Sequence, residues 1–534
     1  MDRISTNRRT LAIATCCGLL AIFTAVATLV RAQQSDAPAP DATAGAETPT
    51  APAYGKDSKL DPVEMNGPIF VDWPKPQVAL VFSGEQQGYL EPCGCAGLHN
   101  QKGGLKRRMT LFEQLRKEGW PLVAMDAGGL AKRPGAQSQI KMRRAIESLV
   151  ELGYSAVGLG TPELGMDLLS VAINLDAANN PLISANVGLV DFDSGFTSRF
   201  KVAKAGGKSI GITQVLGKSE VAELKNASDI VLMDPDQALS EVVPKLRDAQ
   251  CDQLVLLVYG DADEARRLAV KFPVFDWVVT AKGADEPPFQ PVPIEGTKSH
   301  LIEVGHKGMY VVVVGLYDNA AEPFRYQKVP LDARFTDAPE MQQMMTDYQE
   351  ELTTLGLAGL GLKPLPHTSG REFAGSAACV DCHTQATEVH HNTPHFHATE
   401  TLEARTTPPR MHDPECLSCH VTGWEPQKYF PFTSGFASLE KTPNMVGNGC
   451  ENCHGPAAKH VAVELGELEV SEEEQEKLRA DLRLKIVENE GNKEGQVFEG
   501  GKVVNMCVSC HDEDNSPDFD FQEYWPHVEH HGKD

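Results

Sequence analysis

At 534 residues and 41 % hydrophobic content, the chain is long enough for two or three domains and ordinary enough in composition to give each a core. A formal net charge of −25 excludes nucleic-acid binding and charge-driven attachment to an anionic membrane, since both surfaces would repel it. The N-terminus reads as an export signal: Arg3, Arg8 and Arg9 precede an uncharged apolar run from Leu11 to Val30, and Val30-Arg31-Ala32 offers the small residues a signal peptidase prefers. The run is long enough to span a bilayer uncut, so residues 1–32 are expected to be a signal peptide or an N-terminal anchor, with the body outside the cytoplasm in either case. Arg8-Arg9 matches a twin-arginine signal only loosely, and a lipoprotein site at Cys16 or Cys17 is the weaker alternative because both lie inside the apolar run. Losing this segment removes four arginines and one aspartate and takes the net charge from −25 to −28. Residues 33–67 read as a disordered linker, most plainly from Gln33 to Ala53, where Ala, Pro, Thr, Asp and Gln leave almost nothing to bury.

Residues 68–335 alternate short apolar runs with amphipathic stretches, the pattern of a sheet layered with helices. The strand runs are Val78–Phe82, Leu122–Met125, Ala156–Leu159, Leu182–Ala185, Ile210–Ile212, Leu254–Val258 and Trp277–Val279, and the helix stretches include Thr110–Lys117, Ile140–Leu152 and Asp236–Ala249. Leu301–Val304 and Met309–Leu316, joined by Gly305-His306-Lys307-Gly308, predict a hairpin closing the sheet. Cys251, at the start of an apolar run, reads as a small buried hydrophobe.

Gly88-Tyr89-Leu90-Glu91-Pro92-Cys93-Gly94-Cys95, Gly103–Arg108, Asp126-Ala127-Gly128 and Ser184-Ala185-Asn186-Val187 resemble the metallophosphatase half of the 5′-nucleotidase family. The resemblance implies a two-sheet α/β sandwich with a dinuclear metal site at the strand ends. The ligands that site needs are largely replaced. Asp-x-His becomes Glu85-Gln86-Gln87, the bridging aspartate becomes Gly129, and the Asn-His pair becomes Thr161-Pro162. The strand-end histidine becomes Tyr259, and Gly-His-x-His becomes Ala281-Lys282-Gly283-Ala284. Two cations a few ångströms apart need several His, Asp and Asn donors, so a degenerate domain kept for binding or docking is expected, with hydrolysis the poorer reading. Cys93-Gly94-Cys95 with His99 reads either as a metal or redox site or, more simply, as a structural turn.

Residues 336–370 form a helix and linker. Met341, Met344, Met345, Tyr348 and Leu352 fall at helical spacing and predict a packed helix, and the Gly- and Pro-rich stretch Gly356–Gly370 follows it.

In residues 371–534 the pattern Cys-x-x-Cys-His occurs four times: Cys379-Cys382-His383, Cys416-Cys419-His420, Cys450-Cys453-His454 and Cys507-Cys510-His511. Two cysteines three apart share one face of a helical turn and can each form a thioether to one porphyrin, and the adjacent histidine is placed to bind its iron. Structural zinc also uses Cys-x-x-Cys pairs but requires no histidine after each, so four covalent c-type haems are expected. Such attachment takes place outside the bacterial cytoplasm, in agreement with the export signal.

With Thr393-Pro394-His395, Asp413-Pro414-Glu415-Cys416, Gly449–Pro456 and Tyr524-Trp525-Pro526, these motifs resemble the tetrahaem cytochrome family typified by the electron acceptor of hydroxylamine oxidoreductase. The resemblance implies a mainly helical multihaem domain with haems stacked in close pairs. It implies distal iron ligands at His395, His460 and one of His530 or His531, and a second haem, on His420, without a strong one. His390, His391, His397, His412 and His527 are the remaining spare histidines, and Met411, Met445 and Met506 are weaker alternatives. Bis-histidine ligation would give low midpoint potentials. Between the third and fourth motifs, Ser471 caps a charged helix whose Leu478, Leu482 and Ile486 form one apolar line.

The expected function is electron transfer between periplasmic redox proteins, by a protein free in the periplasm or anchored facing it. A basic partner would suit its acidity. The alternatives are a haem enzyme reducing a small nitrogen species at an open iron, or a metallophosphatase-type hydrolase fused to a cytochrome.

Overall fold

Every position of Val78–Ser83 is buried, as the middle strand of a sheet covered on both faces requires. The computed structural model describes residues 61–92, 101–224, 230–336, 338–405 and 408–484, then 486–487, 497–498, 501–502, 506–512, 515–516, 519–530 and 532–533. The export signal, Cys16, Cys17, Cys93-Gly94-Cys95, His99 and His531 lie outside the described residues. Among the described residues no helix is long and apolar enough to cross a membrane.

The front lobe is a sandwich of two six-stranded sheets. The first runs Phe324–Pro330, Tyr310–Leu316, Val78–Ser83, Leu122–Asp126, Tyr154–Gly158, Leu182–Ile183, parallel from Val78–Ser83 onward and antiparallel before it. The second runs Val292–Pro293, His300–Glu303, Trp277–Lys282, Gln253–Asp261, Lys208–Leu216, Phe200–Ala205, with parallel pairs in the middle and an antiparallel pair at each edge.

Strand periodicity divides the second sheet between two cores. Val255, Leu257 and Tyr259, with Trp277 and Val279, point inward to the core shared with the first sheet. Leu254, Leu256, Val258 and Val278 point outward, beneath the helices Pro235–Asp248 and Ala262–Lys271. Leu105–Lys117 and Ala136–Glu151 bury Phe112, Leu115, Ala145 and Leu149 in the first core. Cys251 is partly exposed and packs on the edge of the outer core.

Two expectations for the N-terminal part of the chain need correction. His300–Glu303 and Tyr310–Leu316 are not a hairpin: the first pairs in parallel with Trp277–Lys282, and the second belongs to the other sheet, paired with Val78–Ser83 and Phe324–Pro330. The link between them crosses the sandwich, with Gly305 and Gly308 at φ 75° and 60°, which L side chains rarely adopt. The linker assigned to residues 33–67 ends earlier, because Pro62–Asn66 is a short helix capped by Asp61 and tied down by Asn66 Nδ2 donating to Asp332 at 2.9 Å.

The bridging helix Pro339–Gly359 buries Met341, Met344, Met345, Tyr348 and Leu352 in the first core and kinks at Gly356. Its methionines are therefore core residues. Beyond it, short helices and turns surround a small core of Phe373, Leu402, Leu417, Val421, Trp424, Phe432, Phe436 and Met445, with Met411 packed against it. The charged helix spans Glu472–Leu482, with Ser471 Oγ accepting from Glu474 N at 3.2 Å. The helix stops there, and Ile486 lies instead in the strand Ile486–Val487, so the expected apolar line is cut short by the extended backbone at Arg483.

Candidate functional site

The second and third attachment motifs lie on the short helices Pro414–His420 and Cys450–His454. The first forms a turn in which His383 N donates to Cys379 O at 2.9 Å, and the fourth a similar turn with His511 N donating to Cys507 O at 2.8 Å. One helical turn thus brings each motif's cysteines and histidine together.

Three of the four motif histidines have Nδ1 engaged. His420 donates to Ala398 O at 2.6 Å and His454 to Leu482 O at 2.8 Å, while His511 is 3.0 Å from Ser516 Oγ. A carbonyl can only accept, so in His420 and His454 the proton sits on Nδ1 and Nε2 keeps its lone pair for a metal. Thr401 Oγ1 is a second neighbour of His420 Nδ1 at 3.1 Å.

The structure brings three of the spare histidines to motif histidines. His395 and His511 have ring centres 5.9 Å apart, and His530 and His454 5.7 Å apart. His460 interacts electrostatically with His383, and its Nδ1 is buried without a hydrogen-bond partner, Glu464 Oε1 being 3.6 Å away. Two imidazoles on opposite faces of one metal, each with a bond of about 2 Å, place their ring centres roughly 6 Å apart, so the donor set fits haem iron. Burial pushes the His395 imidazole down to about 4, which keeps it neutral and able to ligate near neutral pH. His530 donates from Nδ1 to Val528 O at 2.9 Å, directing Nε2 elsewhere.

The other histidines have different occupations. His390 Nε2 donates to Asn448 O at 3.0 Å, His391 packs on Phe396 with ring centres 4.1 Å apart, and His397 is 3.0 Å from Glu400. His412 and His527 are exposed. Met445 lies in the small core and Met506 packs beside Phe521.

Contacts between motifs give their order in space. Cys379 is in hydrogen-bonding contact with Cys450, Cys419 with Cys510, and Cys453 interacts with Cys507. The row is therefore first, third, fourth, second. Electrostatic contacts of His454 with His383 and of His395 with His420 agree with it.

In the front lobe, the residues standing where the resemblance expects metal ligands contact one another. Glu85 hydrogen-bonds Tyr259 and Gln87, the latter at 2.7 Å, and Tyr259 also interacts with Glu163. Lys282 Nζ pairs with Glu220 at 2.8 Å and lies 5.6 Å from the Tyr259 ring. A β-carbon at Gly129 would sit 2.6 Å from Glu85 Oε1, so Glu85 fills the space beside Gly129. Among the described residues no three His, Cys, Asp or Glu side chains converge to hold a metal ion. Glu163 accepts from Gly160 N at 2.9 Å and Ala131 N at 3.0 Å, and its burial pushes the carboxyl up to about 7.

Sequence reasoning missed the seam between the lobes. Asp413 Oδ1 caps the second-motif helix through Glu415 N at 3.0 Å and also accepts from Gln137 Nε2 at 2.8 Å, while its Oδ2 accepts from Gln349 Nε2 at 2.9 Å. Glu415 pairs with Arg133 at 2.8 Å and with Lys141, and Arg133 lies 3.8 Å over the Tyr429 ring. Burial alone would lower the Lys141 ammonium, yet the Glu415 and Asp413 carboxylates outweigh it and hold its pKa above the ordinary value. Arg410 pairs with Glu91, itself 2.9 Å from Lys106. The only available signal was Asp413-Pro414, an N-cap followed by proline at the first helical position; nothing marked Lys141.

Comparison with known proteins agrees with this division. Residues 378–455 match the family described as cytochrome c554 and c-prime. Cytochrome c-554 of Nitrosomonas europaea is 30 % identical over 96 residues, covering 16 % of this chain and 38 % of that protein. A snake venom 5′-nucleotidase of Gloydius brevicauda is 27 % identical over 183 residues (33 % of this chain, 31 % of that one), and the rat 5′-nucleotidase 27 % over 226 residues (40 % and 39 %). The chain thus spans between about a third and two fifths of the length of these curated relatives. Among solved structures, a 5′-nucleotidase precursor from Thermus thermophilus overlaps 52 % of this chain and 59 % of its own at 18 % identity and a TM-score of 0.44. The chain therefore joins a 5′-nucleotidase-like α/β lobe to a multihaem c-type cytochrome lobe similar to cytochrome c-554.

Proposed function

We propose that this protein is an exported four-haem cytochrome that passes single electrons between redox partners outside the cytoplasmic membrane, in the periplasm or anchored facing it. Each haem is bound through the cysteines of one motif, with His383, His420, His454 and His511 as proximal ligands. His460, His530 and His395 are the distal ligands of the first, third and fourth irons. The observation that carries the reading is the facing of His395 with His511 and of His530 with His454 at the separation two axial ligands need.

What the bound groups supply is reversible one-electron iron chemistry. The chain's part is to hold neutral imidazoles in place, exclude water with its aromatic side chains and keep neighbouring motifs in contact. The acidic surface suits a basic partner, which it would steer on approach. The front lobe serves as a support, a reading supported by Glu85, Tyr259 and Lys282 standing where the resemblance expects metal ligands and interacting with one another.

Haem-to-protein stoichiometry and a carbon monoxide difference spectrum of the dithionite-reduced protein test this. Four haems with no spectral change support a carrier with every iron doubly ligated. A stoichiometry well below four overturns the reading. A change amounting to one haem places the open iron at His420, for which no distal ligand is assigned, and turnover of nitric oxide or hydroxylamine then separates an enzyme from a carrier.

A further inference from the structure

We infer that the second haem's attachment site is built by both lobes. Lys141, Arg133 and Gln137 of the front lobe, with Gln349 of the bridging helix, hold the Asp413–Glu415 turn of the helix carrying Cys416, Cys419 and His420. The charge balance at Glu415 then sets that one iron's potential independently of the other three. The inference rests on haem attachment as proposed above.

The second motif differs from the third in who satisfies its acidic groups. Beside the third motif, the Glu451 carboxylate accepts from Ala374 N at 2.9 Å, Gly375 N at 2.7 Å and Ala457 N at 2.7 Å, all within the haem lobe. Beside the second, Asp413 and Glu415 receive their side-chain partners from the sandwich and the bridging helix. Asp413, Gln137 and Gln349 are 5 %, 8 % and 3 % exposed, so the Asp413 side of the seam is a buried polar network, flanked by the half-buried Glu415–Arg133 pair. Networks of that kind hold one geometry, because breaking a single member strands a polar group away from water.

The network also extends to two tyrosines: the Tyr348 hydroxyl accepts from Gln137 at 2.9 Å, and the Tyr429 ring lies 3.8 Å beneath the Arg133 guanidinium. Glu415 immediately precedes Cys416. A carboxylate there favours the ferric state of the nearby iron, and Lys141 and Arg133 offset it. The front lobe thus has a task that needs no metal of its own, namely fixing and tuning the haem at one end of the row.

The test is a potentiometric titration of the full-length, haem-loaded protein, with E415Q, K141M, R133Q and the double variant K141M/E415Q. In E415Q, one of four midpoints moves upward, because the anion is gone and both cations stay. In K141M or the milder R133Q the same midpoint moves downward, and the double variant returns it towards the wild-type value. Backbone hydrogen exchange over residues 414–420 rises in K141M and not elsewhere in the haem lobe. Fewer than four haems in the wild type would remove the underlying reading. Four haems whose midpoints stay unchanged in E415Q and R133Q, or all move together, would overturn the inference itself.

Discussion

His395 and His511 stand with ring centres 5.9 Å apart, one in the turn after the first attachment motif and the other in the last motif. Phe519 also stacks on His511, with ring centres 4.7 Å apart, so that imidazole is held by an aromatic neighbour as well. The lobe is laced together by such pairings between distant segments; its apolar core is small.

Replacing His395 with alanine should open one iron. The dithionite-reduced variant is expected to gain a carbon monoxide difference spectrum equal to one haem of four above wild type, and H395M should raise one midpoint, since methionine ligation favours the ferrous state. An unchanged spectrum in H395A would mean His395 is not a ligand.

His530→Ala should have the same effect on a different iron, because His530 is the terminal histidine that faces His454. His531→Ala is expected to leave spectrum and midpoints as they are. A reversal of the two results would exchange their roles.

The front lobe should lose stability as pH rises through neutrality. Burial raises the Glu163 carboxyl from 4.5 to about 7 in the folded state. A raised pKa means the folded state binds the proton more tightly, so the contribution is complete below pH 4.5 and lost as pH rises through 7. Its size is about 3 kcal/mol. Denaturant melts between pH 5 and 8 should show this slope, and E163Q should flatten it from a lower starting stability.

Restoring the family's aspartate alone should do harm. Gly129 has φ 83°, and its β-carbon would meet the Glu85 carboxylate at 2.6 Å, so G129D is expected to destabilise the front lobe by roughly 2–4 kcal/mol. Thermal melting would register this, and a wild-type transition in G129D would show that Glu85 moves freely.

The cytochrome lobe was legible because its Cys-x-x-Cys-His motifs are contiguous pentapeptides, and the strand runs because burial leaves them uninterrupted. The turn at Gly305–Gly308 was misread for a physical reason: two apolar runs joined by four residues look alike whether the second strand returns to the same sheet or crosses to the other. The missing strand, Phe324–Pro330, is a partly exposed edge with Lys, Arg and Gln in it, so its apolar signal is weak. Lys141 and Arg133 were invisible because a charged residue on an amphipathic helix ordinarily faces water, and only the second lobe turns that face into a seam. Glu85 and Tyr259 could be read as lost ligands, but not as mutual partners, since nothing local links residues so far apart in sequence.

The spatial order of the motifs, first, third, fourth, second, has a bearing on how the protein matures. In the export and haem loading proposed above the fourth motif emerges last, yet it is an interior link. A nascent chain loaded only as far as Cys453 would hold one coupled pair and one isolated centre, with no continuous path between them. Conductivity would then switch on in a single late step, when Cys507 and Cys510 receive their haem, and a premature stop would cut the wire in its middle instead of shortening it.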